Sequence, residues 1–347
     1  MAIVQTAELE RFLQEAFDKG ASDLFLIPHE PPSFRVKGSI ERAETDSLRA
    51  EDVRKVAIAA FGEEQIQLVG GQTGQLITSC SLPGALDGRM CLARSRGEFT
   101  IAIRLLPTNL PNVSDLRIPE GMLNAALSKN GLVICAGPSG SGKTTILYGL
   151  AEYINENTAS HICTIENPIY YCIKPKKAIV QQREVGSDIP DVAAGINVAM
   201  QQDLDVLLLG EIKTVEELAA CVTVTQTGHL VLSQVHAWTP EEAIQRLLDV
   251  QAEENVTVFR RHFAEALRAV SAQILLPKAA GKGRVAAFGV LVPDKQMREA
   301  IAEGRDIFER KDPLPKGCQR LADDIERLYN EKVITEESRN NALAELR

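Results

Sequence analysis

Residues 137–144 read Gly137-Pro138-Ser139-Gly140-Ser141-Gly142-Lys143-Thr144, a complete G-x-x-x-x-G-K-[ST] sequence. It restricts the chain to folds that present a strand, a glycine loop and a helix in that order. The apolar run Leu132–Ala136 ahead of it predicts a buried parallel strand, and Thr144–Ala151 behind it has the apolar spacing of a helix. A glycine-rich turn that matched by chance would need neither flank. Glycines let backbone N–H groups turn inward and a helix N-terminus adds partial positive charge, so the stretch from Gly137 to Thr145 offers a nest for a triphosphate. In such a nest Lys143 reaches the β- and γ-phosphates, and Thr144 holds Mg²⁺ through its hydroxyl.

At 347 residues the chain exceeds one core of ordinary size, so two domains are expected. Residues 1–106 read as a mixed α+β block. In it Leu9, Phe12, Leu13, Ala16 and Phe17 share a helical face that stops at Gly20. Strand-like runs cover 23–27 and 33–36, a helix covers 50–61, and alternation over 75–106 predicts further strands. The breaker-rich run Pro107-Thr108-Asn109-Leu110-Pro111-Asn112 opens a linker over 107–116.

From 117 to 347 helices alternate with short apolar strands, the mark of an α/β domain around a parallel sheet. Strands are expected at 132–136, 161–165, 178–182, 205–209, 229–235 and 285–292. Helices are expected near 119–128, 143–155, 191–201, 215–226 and 241–250. Thr239-Pro240-Glu241-Glu242 combines a capping box with proline at the first helical position, which fixes a helix start. The region 256–275 and the stretch beyond Met297 read as mainly helical.

Composition narrows the classes further. A net charge of -9 and a pI near 5.3 argue against a nucleic-acid partner. No apolar run approaches the ~18–20 residues that cross a bilayer, and the N-terminus lacks the charge and apolar pattern of a signal peptide. A cytoplasmic protein without an integral membrane segment is expected. The seven cysteines are odd in number and show no C-x-x-C spacing, so they read as structural.

A phosphate loop needs partners before it hydrolyses anything: an acid to orient water, oxygen ligands for the metal, and a group that responds to the γ-phosphate. In an open parallel sheet these sit at strand ends. Glu211 follows Val206-Leu207-Leu208-Leu209-Gly210, a Walker B-like element with glycine where many such proteins carry Asp. Glu166 ends Ile162-Cys163-Thr164-Ile165; His229 begins the strand Leu230-Val231-Leu232 and His236 ends it. Taken singly, either Glu could simply start a helix and either His could be a hydrogen-bonded core residue. Loop, two acids and two histidines at successive strands form a combination.

That combination resembles the secretion and type IV pilus ATPases over residues 117–310, and it looks most like the PilT-type retraction motors. Thr164-Ile165-Glu166-Asn167-Pro168-Ile169 is similar to the family's Asp box, normally TIEDPIE. Gln182-Arg183-Glu184-Val185-Gly186 together with Asp205 to Ile212 forms another shared block, and Thr227-Gly228-His229-Leu230-Val231 through His236 resembles its His box. Ala300-Ile301-Ala302-Glu303-Gly304-Arg305 is similar to the AIRAGK element of the retraction branch. Gly20-Ala21-Ser22-Asp23 is similar to the GASDIH element of the family's N-terminal domain.

The resemblance implies a RecA-like P-loop core behind a smaller PAS-like N-terminal domain. It implies a homo-hexameric, ATP-hydrolysing motor for pilus retraction and twitching motility, using Mg²⁺ and docked on a pilus platform protein at the inner face of the cytoplasmic membrane. Glu211 becomes the catalytic carboxylate, Glu166 a support for metal and water, and His229 the link between nucleotide state and movement; Thr144, Glu166 and Glu211 would face Mg²⁺ directly or through water. Arg183 and His236 belong to the shared blocks, and Arg89, Arg96 and Arg104 are candidate arginine fingers. Four departures bear on the core site: Asn167 where an acid is usual, Lys213 where the family has Arg, and Asn197 and Gln201 where arginines are common. They leave open a weakly active or non-hydrolysing accessory ring subunit that assists a paralogous retraction ATPase, or a related secretion ATPase.

Overall fold

In the computed structural model of the protein, residues 2–3, 7–36, 38–69, 74–82, 86–105, 110–249, 256–281, 283–305 and 314–346 are described. The chain divides into two compact units, Met1–Asn109 with Tyr170–Cys172, and Leu110–Ile169 with Ile173–Arg347. The division falls inside the expected linker, whose residues 107–109 lie outside the described residues.

The first unit is a seven-stranded sheet flanked by helices. Its strands are β1 (Ala2–Ile3), β2 (Ala21–Leu26), β3 (Ser33–Val36), β4 (Ser39–Arg42), β5 (Gln75–Leu82), β6 (Leu86–Ser95) and β7 (Glu98–Leu105). They stand in the order β1-β5-β6-β7-β2-β3-β4, antiparallel except where β1 meets β5. Helices α1 (Ala7–Asp18), α2 (Ala50–Phe61) and α3 (Glu63–Leu68) belong to the same unit. Leu9, Phe12, Leu13 and Ala16 are buried with Leu24, Leu92, Ile101 and Ile103, so the helical stripe read from the sequence is one wall of this core. Phe17, assigned to that stripe, is instead 50% exposed.

The second unit carries a seven-stranded sheet of its own. Its strands are β8 (Gly131–Ala136), β9 (His161–Glu166), β10 (Ile179–Glu184), β11 (Val206–Leu209), β12 (Leu230–Val235), β13 (Leu267–Pro277) and β14 (Arg284–Leu291). The order is β10-β9-β11-β12-β8-β13-β14, parallel from β10 to β13 and antiparallel only at β14. Every residue of β8, β9, β11 and β12 is buried, because helices cover both faces; that is why these strands read as unbroken apolar runs. The helices are α4 (Glu120–Ala126), α5 (Lys143–Asn157), α6 (Val192–Met200), α7 (Val215–Gln226), α8 (Pro240–Asp249), α9 (Val256–Ala266), α10 (Lys295–Glu303), α11 (Leu321–Asn330) and α12 (Glu336–Glu345).

One expectation fails outright. The region read as helical over 256–275 holds helix α9 only to Ala266, and then the eleven-residue strand β13. Leu267-Arg268-Ala269-Val270-Ser271-Ala272-Gln273-Ile274-Leu275-Leu276 is mostly apolar and is paired with β8 over Leu267–Ala272 and with β14 over Val270–Pro277, so burial on a sheet overrides its ambiguous period. The two C-terminal helices are packing elements: Leu321, Ile325 and Leu328 of α11 are buried with Val285 and Ala287 of β14. Cys135, Cys163 and Cys221 are buried, and burial raises each thiol, Cys135 and Cys221 to about 12.

Candidate active site

The parallel register brings the carboxyl ends of β10, β9, β11, β12, β8 and β13 to one edge of the sheet. Along that edge stand Glu184, Glu166, Glu211, His236, the loop 137–144 and Gln273. This is the side of a parallel sheet on which ligands bind.

The loop leaves β8 and enters α5 at Lys143, with Ser139 and Gly140 exposed at its tip. Gly137 is required by close approach: a Cβ there would lie 2.6 Å from the Gln273 carbonyl oxygen and closer still to Ser141 Oγ. Gln273 Nε2 donates to the Ser141 carbonyl at 2.8 Å and ties the loop to β13. Among the described residues, Ser141 Oγ and Gln273 Oε1 are buried without a hydrogen-bond partner. Gln273 escaped the sequence reading because its strand did; the run of buried β-formers around it was the available signal.

Lys143 is buried and its ammonium is fully engaged. Nζ donates to the carbonyl oxygens of Gly137 and Pro138, both at 2.9 Å, and lies 3.3 Å from His236 Nδ1. Burial lowers its pKa, and the charge of Glu211 works in the opposite direction. On its other side His236 places Nε2 3.2 Å from Glu211 Oε1. An ammonium facing Nδ1 and a carboxylate facing Nε2 select one tautomer, with the proton on Nε2. Lys143, His236 and Glu211 thus form one hydrogen-bonded row. Lys213 Nζ stands 3.8 Å from Glu211 Oε2 at its far end. Thr144 Oγ1 donates to Gln234 Oε1 at 3.3 Å.

A cavity of about 200 Å³ opens beside this row, lined by Glu211, Lys213, Thr214, His236 and Arg246. Arg246 donates to the His236 carbonyl at 2.9 Å. Thr214 caps α7 in a reciprocal box with Glu217, whose carboxylate also accepts from Lys213 N at 2.6 Å, so the backbone behind Glu211 is fixed.

Glu166 sits at the same edge but is turned inward. It is 2% exposed; Thr164 Oγ1 donates to Oε1 at 2.6 Å, Gln182 Nε2 to the same oxygen at 3.4 Å, and Tyr148 Oη to Oε2. Burial raises its carboxyl to about 7 against the lowering effect of those donors, and Glu184, its register partner on β10, raises it further. The sequence places Glu166 beside metal and water; here both oxygens face protein donors. Gly210 packs against it, so an Asp at that position would have pressed a second carboxylate onto Glu166.

The two histidines separate. His229 precedes β12 at the end remote from the loop, a strand of six residues and therefore ~20 Å away. Its Nδ1 lies 3.0 Å from Thr227 Oγ1 and 3.2 Å from the Val224 carbonyl, a local turn. The residue expected to link nucleotide to movement is therefore not joined to the loop in this chain, and His236 is. Arg183 is taken up by Gln181 and Gln202, with Nη1 buried and without a partner among the described residues. Arg89, Arg96 and Arg104 lie in the first unit; Arg104 Nε donates to Asp23 Oδ1 at 3.1 Å, and Arg96 occupies the β6–β7 turn with φ +53°.

A strand, a glycine loop closing on a buried lysine, and a carboxylate just past the end of β11, two strands over in the same parallel sheet, define a P-loop nucleoside triphosphatase. The chain belongs to the family described as Type II/IV secretion system protein, which it matches over residues 2–327, and it is an ATPase of that family. It is 31% identical over 335 residues to the type IV pilus ATPase PilU of Pseudomonas aeruginosa, covering 95% of this chain and 87% of that one. It is 30% identical to the type IV pilus retraction ATPase PilT of the same organism, covering 86% of each. A crystal structure of the pilus retraction motor PilT with bound ADP superposes with a TM-score of 0.84 at 31% identity, covering 96% of both chains.

Proposed function

We propose that the protein is a retraction-type motor of a type IV pilus, working as a homo-hexamer on Mg²⁺ and ATP and docked on a platform protein at the inner face of the cytoplasmic membrane. The observation that carries this reading is the Lys143–His236–Glu211 row beside a complete phosphate loop. Likeness to the PilT and PilU ATPases and the Ala300–Arg305 element at the end of α10 support the retraction branch.

In this reading Lys143 leaves the Gly137 and Pro138 carbonyls for the phosphates, and Glu211 orients the attacking water. His236, hydrogen-bonded to both, responds to whether Lys143 is occupied. Thr144 Oγ1 and Glu211 are hard oxygen donors suited to Mg²⁺. Among the described residues no cluster of three or more His, Cys, Asp or Glu could hold a metal, so phosphate oxygens and water would complete the ion's shell. Bound there, Mg²⁺ would neutralise charge on the phosphates. Arginines of the N-terminal domain, from the set Arg89, Arg96 and Arg104, would complete the charge around the γ-phosphoryl group. Glu166 acts through packing at the strand end.

Steady-state ATP hydrolysis with Mg²⁺, with assembly state followed by light scattering, tests the reading. Turnover by a ring-sized assembly that falls by about 10²–10³ in Glu211→Gln, with ATP binding kept, is expected. Unchanged turnover in Glu211→Gln removes the assignment. A second reading, a slowly hydrolysing ring subunit that assists another motor, draws on Lys213 beside Glu211. Under it the wild-type chain binds ATP with little turnover, and Lys213→Ala raises the rate.

A further inference from the structure

At the end of the core sheet remote from the phosphate loop, a cavity of about 410 Å³ lies between α4, the start of β13, α10 and the segment at Gly317. Arg268, Arg298 and Lys316 line it, against a single acid, Glu120. None of the three cations has an ion-pair partner among the described residues.

Two of these cations share a structural duty that needs only one. Arg268 Nη1 donates to the carbonyls of Glu265 at 2.7 Å and Ala266 at 3.2 Å, and its Nη2 to Asn130 Oδ1 at 2.8 Å. Arg298 Nη1 donates to Ala264 at 2.6 Å and to the same Glu265 carbonyl at 3.3 Å. A single cation suffices to cap the carboxyl end of α9. The second brings repulsion: burial first, and then the charge of Arg268, hold the Arg298 guanidinium below its ordinary value, while Asp294 acts in the opposite direction.

The backbone makes room for this crowding. Arg268 is the extra residue where the β13–β8 register shifts between Leu267 and Ala269, so a bulge re-aims its side chain out of the sheet's alternation. Beneath it is Gly131, where a Cβ would stand 2.5 Å from Arg268 Cγ and 2.7 Å from Nε. On the far wall Gly121 allows the Gly317 carbonyl to within 2.5 Å of where its Cβ would be, which seats Lys316 against α4. A bulge and two glycines therefore converge on one electropositive recess.

We propose that this recess binds a phosphate-bearing anion, with Arg298, Arg268 and Lys316 supplying the charge. A cavity of about 410 Å³ has the size of a small-molecule site. Guanidinium pairs match phosphate oxygens bidentately, and the lysine adds a point charge at the mouth. The phosphate could arrive free in solution or on a lipid headgroup.

The test uses the full chain carrying Lys143→Ala, so that the phosphate loop does not compete. Isothermal titration with inorganic pyrophosphate is compared for this background and for the same chain with Lys316→Gln or Arg298→Gln. Co-sedimentation with vesicles of phosphatidic acid in phosphatidylcholine, against phosphatidylcholine alone, forms the second arm. One saturable pyrophosphate site, weakened about tenfold or more by each substitution, supports the site with a free anion. Vesicle binding that needs phosphatidic acid and is lost in the same variants supports the headgroup source. Failure to bind either probe, or binding indifferent to both substitutions, overturns the proposal. Lys316 is exposed, so Lys316→Gln decides the matter if Arg298→Gln fails to fold.

Discussion

Glu166→Gln is expected to change how stability depends on pH. The carboxyl titrates at about 4.5 when unfolded and at about 7 in the fold. The folded state therefore binds the extra proton between these values, and stability falls as pH rises through that window before levelling off above it. Each pK unit corresponds to about 1.4 kcal/mol, and the group is 2% exposed, so solvent screening does not reduce the effect. Linkage over the 2.5-unit separation gives a loss of ~2.5 kcal/mol between about pH 5 and about pH 8 from this one residue. For a unit of this size that is on the order of 5–10 °C in Tm. Gln at 166 keeps the volume and one oxygen, which accepts from either Thr164 or Tyr148 but not from both, and it cannot ionise. Differential scanning calorimetry across the range should therefore show the unfolding transition of Glu166→Gln falling less with rising pH than the wild type. Reading the difference between the two proteins cancels the other titrating groups. Parallel Tm profiles would refute the argument and mean that Glu166 ionises normally inside the fold.

Lys143→Ala should abolish or severely weaken ATP binding, measured by titration calorimetry. His236→Ala should reduce turnover by on the order of 10² or more, while His229→Ala, at the other end of β12, should leave a purified chain's nucleotide affinity within about twofold. Gly137→Ala should weaken nucleotide binding about as much as Lys143→Ala, because its methyl meets Ser141 Oγ and the Gln273 carbonyl; equal affinity to wild type would mean the loop yields freely. On the retraction-motor reading, Arg305→Ala should spare turnover and impair retraction of pili in cells, and a loss of hydrolysis would place this segment in the core instead.

The sequence carried the second unit further than the first. Fully buried strands such as Val206–Leu209 announce themselves by composition, and the loop pinned β8 and α5 without ambiguity. At Pro240 the helix begins where proline and the capping pattern placed it, although Glu242 reaches back to Trp238 N rather than to Thr239. Where strands are half-exposed, as at Ser39–Arg42, four exposed residues give no apolar period and the strand was not legible. β13 was lost for the opposite reason, an apolar run continuous with a helix and with no turn between them. For the site, strand-end position found the right edge of the sheet, but it could not say which end of β12 mattered. Parallel register puts His236 at the loop's edge and His229 at the opposite one, and register is a property of the assembled sheet. Nor could it show that Glu166 faces Tyr148, a residue of α5 brought to it only by packing.

Lys143, His236 and Glu211 read as three separate residues in the chain, yet in the fold they share one imidazole. That sharing constrains how their substitutions combine. Removing His236 strips Lys143 of one of its three acceptors and Glu211 of its facing donor at once. Lys143 would then rest on two carbonyls alone, and Glu211 would turn toward Lys213 at 3.8 Å. Groups that act as a unit are not additive, so the double variant His236→Ala with Glu211→Gln should lose little beyond the larger single loss. Independent roles would instead multiply the two losses. The geometry favours the first outcome, because no other side chain in the row reaches from the phosphate loop to the carboxylate.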